Sequence, residues 1–543
     1  MPVNPTYPGV YIEELPSAVR TIVGVPTSIT AFVGPAARGP VDEPSMITSW
    51  ADFTRLYGGL SRDSLMSYAV YQYYLNGGSL AAVVRVAGNG KAATLDLGGG
   101  TTLQANSPGE WGSSLRARVD YNTSDPTDKN LYNLTLRDMA TGAQERFLNI
   151  SIDPKSSRTL DKVLADSQLV SLAPSAVTNK RPAPSSDVAF GKDPFADTPA
   201  APAPPAGGGG GGGAGGGGGA GGGAGGGGAA AAANYVQAAG GTPGDAITDA
   251  QYQGDPAAKT GIYALLKTDI FNLLCIPDAD TGGGTLPAAL QLCVDRRALL
   301  LVDAPTAWDS LTAALAGIRA FPLQGDGATN AAVYFPRLVM PDPLQGGMLA
   351  DFPASGAVAG VYARTDGQRG VWKAPAGVDA SLNGVRDLSV HLTDLENGEL
   401  NPLGLNCLRS FPVIGQVVWG ARTLRGADQL ANQWKYVPIR RLALYIEETL
   451  YRNTKWIVFE PNDEPLWSQV RLNVGAFMHD LFRQGAFQGT TPHDAYLVKC
   501  DKDTNPQSDI NKGIVNIIVG FAPLKPAEFV IIQIQQLAGQ IEV

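Results

Sequence analysis

The chain has 543 residues, of which 44% are apolar, and its formal net charge is −9. This length allows two to four domains, at about 150 residues for each domain. The acidic balance argues against a general nucleic-acid-binding protein, because such proteins need a basic surface to displace counterions from phosphate groups.

Cysteine spacing and the N-terminal sequence indicate a protein that is made and kept in a reducing cytoplasm. No two cysteines have a Cys-x-x-Cys spacing, so we expect buried free thiols and neither a zinc site nor a disulfide framework. The cysteines are Cys275, Cys293, Cys407 and Cys500. The N-terminus lacks the pattern of a signal peptide, and no apolar run reaches the roughly 18 residues that span a bilayer. We therefore expect no membrane insertion, and release by lysis if the protein leaves its producing cell.

Residues 1–22 are predicted to form an N-terminal arm. Three prolines among the first eight residues favour an extended chain. A short strand can follow, with Val10 and Ile12 on one face and Tyr11 and Glu13 on the other. A strand with no local partner pairs either within its own fold or with the sheet edge of another chain.

A middle α/β domain with a mostly parallel sheet is predicted from residues 23–90 together with 260–375. Apolar runs that continue without alternation indicate strands buried on both faces, and helical patterns separate them. The predicted strands are Ser28–Gly34, Leu80–Ala87, Phe271–Ile276, Ala298–Val302 and Ala331–Phe335.

Residues 91–259 are predicted to form a β-rich outer insertion. Residues 115–122 and 131–138 alternate between apolar and polar side chains, as half-exposed strands do. A linker rich in proline, alanine and glycine occupies residues 172–233, and its run Gly207–Gly228 is predicted to be a disordered tip. This run is not a phosphate-binding loop, because such loops place defined glycines between a strand and a helix.

Residues 376–528 are predicted to form an α+β domain, followed by a C-terminal arm at 529–543. Two amphipathic helices are expected around a strand at Trp456–Phe459, and Arg471 and Arg483 of the second helix lie largely off its apolar stripe. Those arginines are either a solvated face or contacts with a partner. Later strands are predicted at Tyr496–Lys499, Ile514–Phe521 and Phe529–Leu537. The last one contains Ile532-Gln533-Ile534-Gln535, which alternates with period two.

No residue of the chain is predicted to be catalytic or to bind a cofactor. None of the histidines forms a His-Glu-x-x-His pair, and neither a Gly-x-Ser-x-Gly elbow nor a Walker loop occurs. Asp278 and Asp303 follow strand ends, where open α/β sheets place ligands, and could hold Mg²⁺. A carboxylate at this position is more commonly a helix cap or turn residue.

Several phrases, in a set order, resemble the contractile tail sheath family of phage tails and related injection machines. They are Tyr7-Pro8-Gly9-Val10-Tyr11, Phe32-Val33-Gly34-Pro35, Gly370-Val371-Trp372-Lys373, Val418-Trp419-Gly420-Ala421-Arg422-Thr423 and Trp456-Ile457-Val458-Phe459-Glu460-Pro461-Asn462-Asp463. The resemblance covers about the first 90 residues and residues 330–543, and leaves the insertion unmatched.

The resemblance implies a structural, non-enzymatic subunit without cofactors. It implies stacked hexameric rings around an inner tube, held in a metastable extended state, whose contraction drives the tube through a target envelope. The implied partners are further copies of the chain, the tube protein, and baseplate and terminal cap proteins, assembled in a bacterial cytoplasm. In this reading the inter-subunit strands contain Val10, Tyr11, Ile12, Glu13, Ile532, Gln533, Ile534 and Gln535. The helix near Glu464–Gln484 would grip the tube, through Arg471 and Arg483.

The residues are also compatible with two alternatives to the sheath hypothesis. One is a different self-assembling shell protein, such as a capsid or surface-layer subunit. The other is a metal-dependent α/β hydrolase or phosphotransferase that uses Asp278 and Asp303.

Overall fold

The computed structural model describes residues 20–197, 234–277, 279 and 281–533. Its strands are β1 (Thr30–Gly34), β2 (Ser45–Ile47), β3 (Ala81–Arg85), β4 (Thr94–Asp96), β5 (Thr102–Ala105), β6 (Leu115–Asp120), β7 (Leu131–Asp138), β8 (Gln144–Ser151), β9 (Val170–Leu172), β10 (Val236–Gln237), β11 (Leu273–Cys275), β12 (Leu299–Asp303), β13 (Ala331–Phe335), β14 (Leu338–Asp342), β15 (Met348–Phe352), β16 (Asp387–Leu388), β17 (Asn406–Phe411), β18 (Gly415–Val418), β19 (Tyr496–Lys499) and β20 (Ile518–Phe521).

The α-helices of the described chain are α1 (Trp50–Tyr57), α2 (Leu65–Leu75), α3 (Leu160–Leu164), α4 (Asp249–Gln253), α5 (Thr285–Asp295), α6 (Leu311–Arg319), α7 (Ser355–Arg369), α8 (Asp394–Leu400), α9 (Val437–Asn453), α10 (Glu464–Arg483), α11 (Pro492–Ala495) and α12 (Gln507–Ile510). Together with the strands they form a mixed α/β protein with several sheets.

The chain divides into two compact units. The larger one comprises the described parts of residues 1–36, 41–86 and 247–543, and the smaller one comprises residues 37–40 and 87–246.

An eight-stranded sheet is the centre of the larger unit, in the order β18-β17-β13-β12-β11-β1-β3-β2. The pairs from β17 to β3 are parallel, whereas the outermost strands β18 and β2 are antiparallel to their neighbours. All residues of β1, β3 and β13 are buried, because apolar clusters cover both faces of the sheet. The predicted parallel sheet, with strands buried on both faces, is confirmed.

The smaller unit contains two antiparallel sheets, β10-β6-β7-β8 and β4-β5-β9, around a core of their inward-facing side chains. The predicted strands at 115–122 and 131–138 are confirmed as β6 and β7. The chain on either side of residues 198–233 is fixed to β6, since Arg118 donates to the carbonyl oxygens of Pro194 (3.2 Å) and Asn234. Tyr235 Oη also lies 2.6 Å from Asp197 Oδ1.

Three strand predictions in the last third differ from the structure, and for one of them, Phe529–Leu537, the described residues 529–533 form no strand. Trp456–Phe459 is not a strand. A 3-10 turn, Lys455–Ile457, directly follows α9, and Phe459 has a positive φ of 70°. This short apolar run is the connection between α9 and α10. The strand predicted at Ile514–Phe521 begins at Ile518, because the side chain of Asn505 accepts from Asn516 N (2.5 Å) and donates to Asn516 O (3.3 Å). Those main-chain groups are therefore unavailable to a strand partner.

The helices α9 and α10 and the strands β19 and β20 share an apolar core of their own within the larger unit. Helix α10 begins where predicted, because the Asp463 side chain accepts from Leu466 N (3.3 Å) and Pro465 occupies its first turn. Its predicted apolar stripe is buried, as shown by Leu466, Val470, Val474, Phe477 and Leu481.

Candidate assembly surface

The C-terminal part of the described chain presents an uncovered apolar segment. Phe529, Val530, Ile531 and Ile532 are 73%, 80%, 84% and 79% exposed. Gln533 is exposed as well, and residues 529–533 form no strand. Four consecutive apolar side chains in solvent are unfavourable in an isolated protein, and this pattern marks an interaction segment.

A buried ion pair, here called the Arg422 anchor, holds the base of this segment. Arg422 Nε and Nη2 donate to the two carboxylate oxygens of Glu528, each at 2.6 Å. The Arg422 side chain is fully buried, and that of Glu528 is 20% exposed. Because the contact is bidentate and charged at both ends, it fixes the direction in which residue 529 leaves the fold.

The remaining polar groups around the anchor are also satisfied. Asn401 Nδ2 (3.2 Å) and Tyr436 Oη (3.1 Å) donate to Glu528, and Arg422 Nη1 lies 3.0 Å from Asp428. Burial alone would raise the pKa of Glu528, but the hydrogen bonds and charge of Arg422 outweigh it and hold this pKa below its usual range. A buried guanidinium needs such partners, since an unpaired buried charge is strongly destabilising.

The two-stranded sheet formed by β19 and β20 offers unpaired edges. Its strands are antiparallel, with Tyr496 opposite Phe521 and Lys499 opposite Ile518. In the part of the chain that the structure describes, neither strand pairs with a third strand. A sheet of two strands is marginal by itself, and open edges are places where further strands can add.

The N-terminal end of the described chain runs along α9 towards α10. Thr27 O accepts from Arg441 (2.9 Å), Val25 N donates to Thr449 (3.3 Å), and Arg20 N donates to Asn473 on α10 (3.0 Å). The guanidinium of Arg20 also lies 4.6 Å from the ring centroid of Trp456. The arm therefore starts beside the helices that support β19 and β20.

Of the predicted strand-exchange residues, only Ile532 and Gln533 lie in the described chain, and both are exposed. The other six fall outside the described residues: Val10, Tyr11, Ile12, Glu13, Ile534 and Gln535.

The two arginines predicted to contact a tube occupy different environments on α10. Arg471 is half-buried: it donates to the Cys500 carbonyl oxygen and, at 2.5 Å, to Glu464. Arg483 is exposed at the C-terminal end of the helix, near the exposed residues Ala476 and His479. Arg471 therefore has a structural role within the subunit, whereas the side chain of Arg483 faces solvent.

Asp303, one half of the alternative metal site, binds the N-terminus of α7. Its oxygens accept from Ser355 N (2.7 Å) and Ser355 Oγ (2.6 Å). Burial raises the pKa of this carboxyl group, although the hydrogen bonds from Ser355 oppose the shift. Asp278 lies outside the described residues, within which no group of three or more His, Cys, Asp or Glu side chains is placed to hold a metal ion. The carboxylate of Asp303 thus acts as a helix cap.

Sequence reasoning missed the Arg422 anchor. One signal was available: Arg422 follows the apolar run Val417-Val418-Trp419-Gly420-Ala421, and a charge in such a run must find a partner if it is buried. The identity of that partner was not accessible, because Glu528 is 106 residues further along the chain.

Comparison with known proteins identifies relatives of this architecture. The family described as "Phage tail sheath C-terminal domain" matches residues 430–536. The tail sheath protein of Vibrio phage KVP40 is 29% identical over 177 residues, which is 32% of this chain and 25% of that protein. A prophage major tail sheath protein of Pseudomonas aeruginosa strain UCBPP-PA14 is 27% identical over 288 residues, covering 50% of this chain and 67% of its own length.

The fold is also similar to that of a solved sheath. The sheath complex of the extracellular contractile injection system PVC, in its contracted state, aligns with a TM-score of 0.55 and 23% identity, over 99% of both chains. Within the described residues, no helix has the length and apolar character required to cross a bilayer.

Proposed function

Because the chain belongs to the contractile sheath family of phage tails and phage-like injection systems, we propose that it polymerises as stacked hexameric rings around an inner tube. It is a structural protein and not an enzyme. The rings are held in a metastable extended state, and their contraction drives the tube through a target envelope. The energy is the difference between the interfaces of the two states, so no nucleotide is required.

Strand exchange links the subunits in this proposal. The arm strand around Val10–Glu13 and the strand around Ile532–Gln535 add to the open β19–β20 sheets of neighbouring copies. The exposed apolar segment Phe529–Ile532 is the observation that supports this most strongly, because it is anchored at its base and uncovered beyond it. Each backbone hydrogen bond gained by an added strand contributes about 0.5–1.5 kcal/mol net.

The same proposal assigns the remaining surfaces. Helix α10 faces the tube and contacts it through Arg483, the exposed member of the predicted pair. Residues 91–259 form the outer insertion of the sheath, and residues 376–528 form the domain nearest the tube. Baseplate and terminal cap proteins contact the ends of the polymer, which is a component of a phage tail or a phage-tail-like particle.

Electron microscopy of the purified protein tests the proposal. The full chain should form hollow, helically striated tubes, and chains that lack residues 1–19 or 529–543 should remain as single subunits or rings. A deletion of residues 198–233 serves as the matched control and should still form tubes. Flat lattices or closed shells from the full chain would support a different shell protein, and single subunits at all concentrations would contradict self-assembly.

A further inference from the structure

A pocket of about 660 Å³ opens beside the Arg422 anchor. It lies in the larger unit, between the end of α7, the residues after β18 and the segment Leu524–Glu528. The indole rings of Trp372 and Trp419 line it, together with the cationic side chains of Arg369, Lys373 and Lys525. The pocket therefore combines an aromatic wall with three positive charges.

The positive charge in this pocket is only partly balanced by the residues around it, since Asp379 acts on Lys373 without an ion-pair contact. Lys373 Nζ donates only to main-chain carbonyl oxygens, those of Ala374 (2.9 Å) and Ala376 (3.4 Å). Within the described chain, no carboxylate lies at ion-pair distance from Arg369, Lys373 or Lys525. Burial, and then the neighbouring charge of Arg369, lower the pKa of Lys373, and the more distant carboxylate of Asp379 opposes this shift without cancelling it. A carboxylate placed here would gain both charge and hydrogen-bond donors.

Glu528 also lines the pocket but does not neutralise it. Both of its carboxylate oxygens are already bonded to Arg422. The site therefore fits an external acidic group that enters beside the anchor.

The pocket continues the line of β20. The strand ends at Phe521, and the pocket begins at Leu524. Since a strand rises about 3.3 Å per residue, a segment that pairs along β20 and runs parallel to it reaches the pocket within about 10 Å of the strand's end.

We propose that this pocket receives Glu13 and Glu14 from the N-terminal arm of a second copy of the chain. Glu13 is the last residue of the predicted arm strand Val10–Glu13 and Glu14 directly follows it, so a strand paired along β20 delivers these carboxylates to the end of the sheet where the pocket lies. The other exchanged strand, residues 529–537, contains no charged side chain, and the single acidic side chain of that arm, Glu542, lies five residues beyond its end. This inference rests on the proposed function, because it requires strand exchange between subunits.

Charge reversal in the full chain tests the contact. The double variant Arg369→Glu/Lys373→Glu and the double variant Glu13→Lys/Glu14→Lys should each form roughly tenfold fewer tubes, or none, because each reversal places like charges opposite one another. The quadruple variant should recover tubes. The matched control reverses two exposed lysines of the smaller unit, Lys129→Glu and Lys155→Glu, and should assemble normally. A folded quadruple variant that does not recover would overturn the pairing.

Cysteine cross-linking identifies which copy supplies the carboxylates. The native cysteines are all buried, so a new pair can be oxidised selectively. Copies carrying Glu13→Cys or Glu14→Cys are mixed with copies carrying Lys373→Cys, and tubes that form should contain disulfide-linked dimers. Tubes without dimers would reject the pocket contact and leave the sheath proposal intact. A wild-type chain that forms no tubes would instead reject the proposed function itself.

Discussion

Replacing Glu528 with glutamine should destabilise the larger unit because it leaves the buried guanidinium of Arg422 short of a charge. Removing one partner of a buried ion pair costs about 3–5 kcal/mol. Asp428 remains 3.0 Å from Arg422 Nη1, and the glutamine keeps one acceptor oxygen, so we expect about 2–3 kcal/mol, in the range of lost charged hydrogen bonds. The loss should appear in urea unfolding followed by tryptophan fluorescence.

A chemically identical substitution provides the control for this measurement. Glu464→Gln breaks the ion pair between Glu464, whose side chain is 59% exposed, and Arg471. Exposed pairs contribute less than about 1 kcal/mol, so this variant should unfold close to the wild type. Equal effects of the two substitutions would refute the claim that burial makes the Arg422 anchor special.

The lowered pKa of Glu528 also predicts how the stability difference between the wild type and Glu528→Gln depends on pH. Burial opposes the shift, but Arg422 outweighs it and keeps the folded-state pKa below the ordinary value. The ionised carboxylate therefore stabilises the fold above its unfolded-state pKa, and this contribution disappears as the pH falls through the folded-state pKa. The free energy of unfolding of the wild type should exceed that of Glu528→Gln by a constant margin between about pH 8 and pH 5, and this margin should shrink as the pH falls below the ordinary glutamate pKa towards the lowered folded-state pKa. A margin that persists in stronger acid would contradict an ionic origin.

Three further predictions use other parts of the structure. Asp303→Ala should cost about 1–2 kcal/mol in thermal unfolding through loss of the α7 cap, and Mg²⁺ should leave the melting temperature of the wild type unchanged. Replacing residues 198–233 with a four-residue linker should leave the smaller unit folded and stabilise it by no more than about 2 kcal/mol, whereas Arg118→Ala should destabilise it, as measured by urea unfolding. Arg483→Glu should abolish co-sedimentation with tubes at unchanged monomer stability, whereas Arg471→Glu should lower the stability of the monomer. If the Arg483→Glu variant still co-sediments with tubes, Arg483 does not contribute to the proposed tube contact.

The proposed strand exchange gains a physical basis from the arrangement of anchor and sheet. Glu528 is fixed by two 2.6 Å contacts, and the next four residues are uncovered. A segment held at one end and free beyond it can pair with a neighbour while the two rigid bodies reorient. Links of this kind absorb rotation at a few residues, as hinges do.

Local patterns predicted much of the fold because burial on both faces leaves a continuous apolar signature. Runs such as Leu80–Ala87 and Ala331–Phe335 match the parallel sheet for this reason. The run Trp456–Phe459 is also apolar but forms no strand, since the turn Lys455–Ile457 and the positive φ of Phe459 interrupt an extended backbone. A short apolar run predicts that its side chains are buried, but it does not predict which element covers them.

The sequence by itself determined the order of the buried strands and the positions of the amphipathic helices. It also contains the phrases that resemble the sheath family. Only the tertiary structure decided which polar groups meet. It joined Arg422 to Glu528 and Asp303 to Ser355, and it placed Arg369 and Lys373 beside Trp419. Apolar periodicity is a property of neighbouring residues, whereas the pairing of a buried charge depends on residues that the fold brings together from distant parts of the chain.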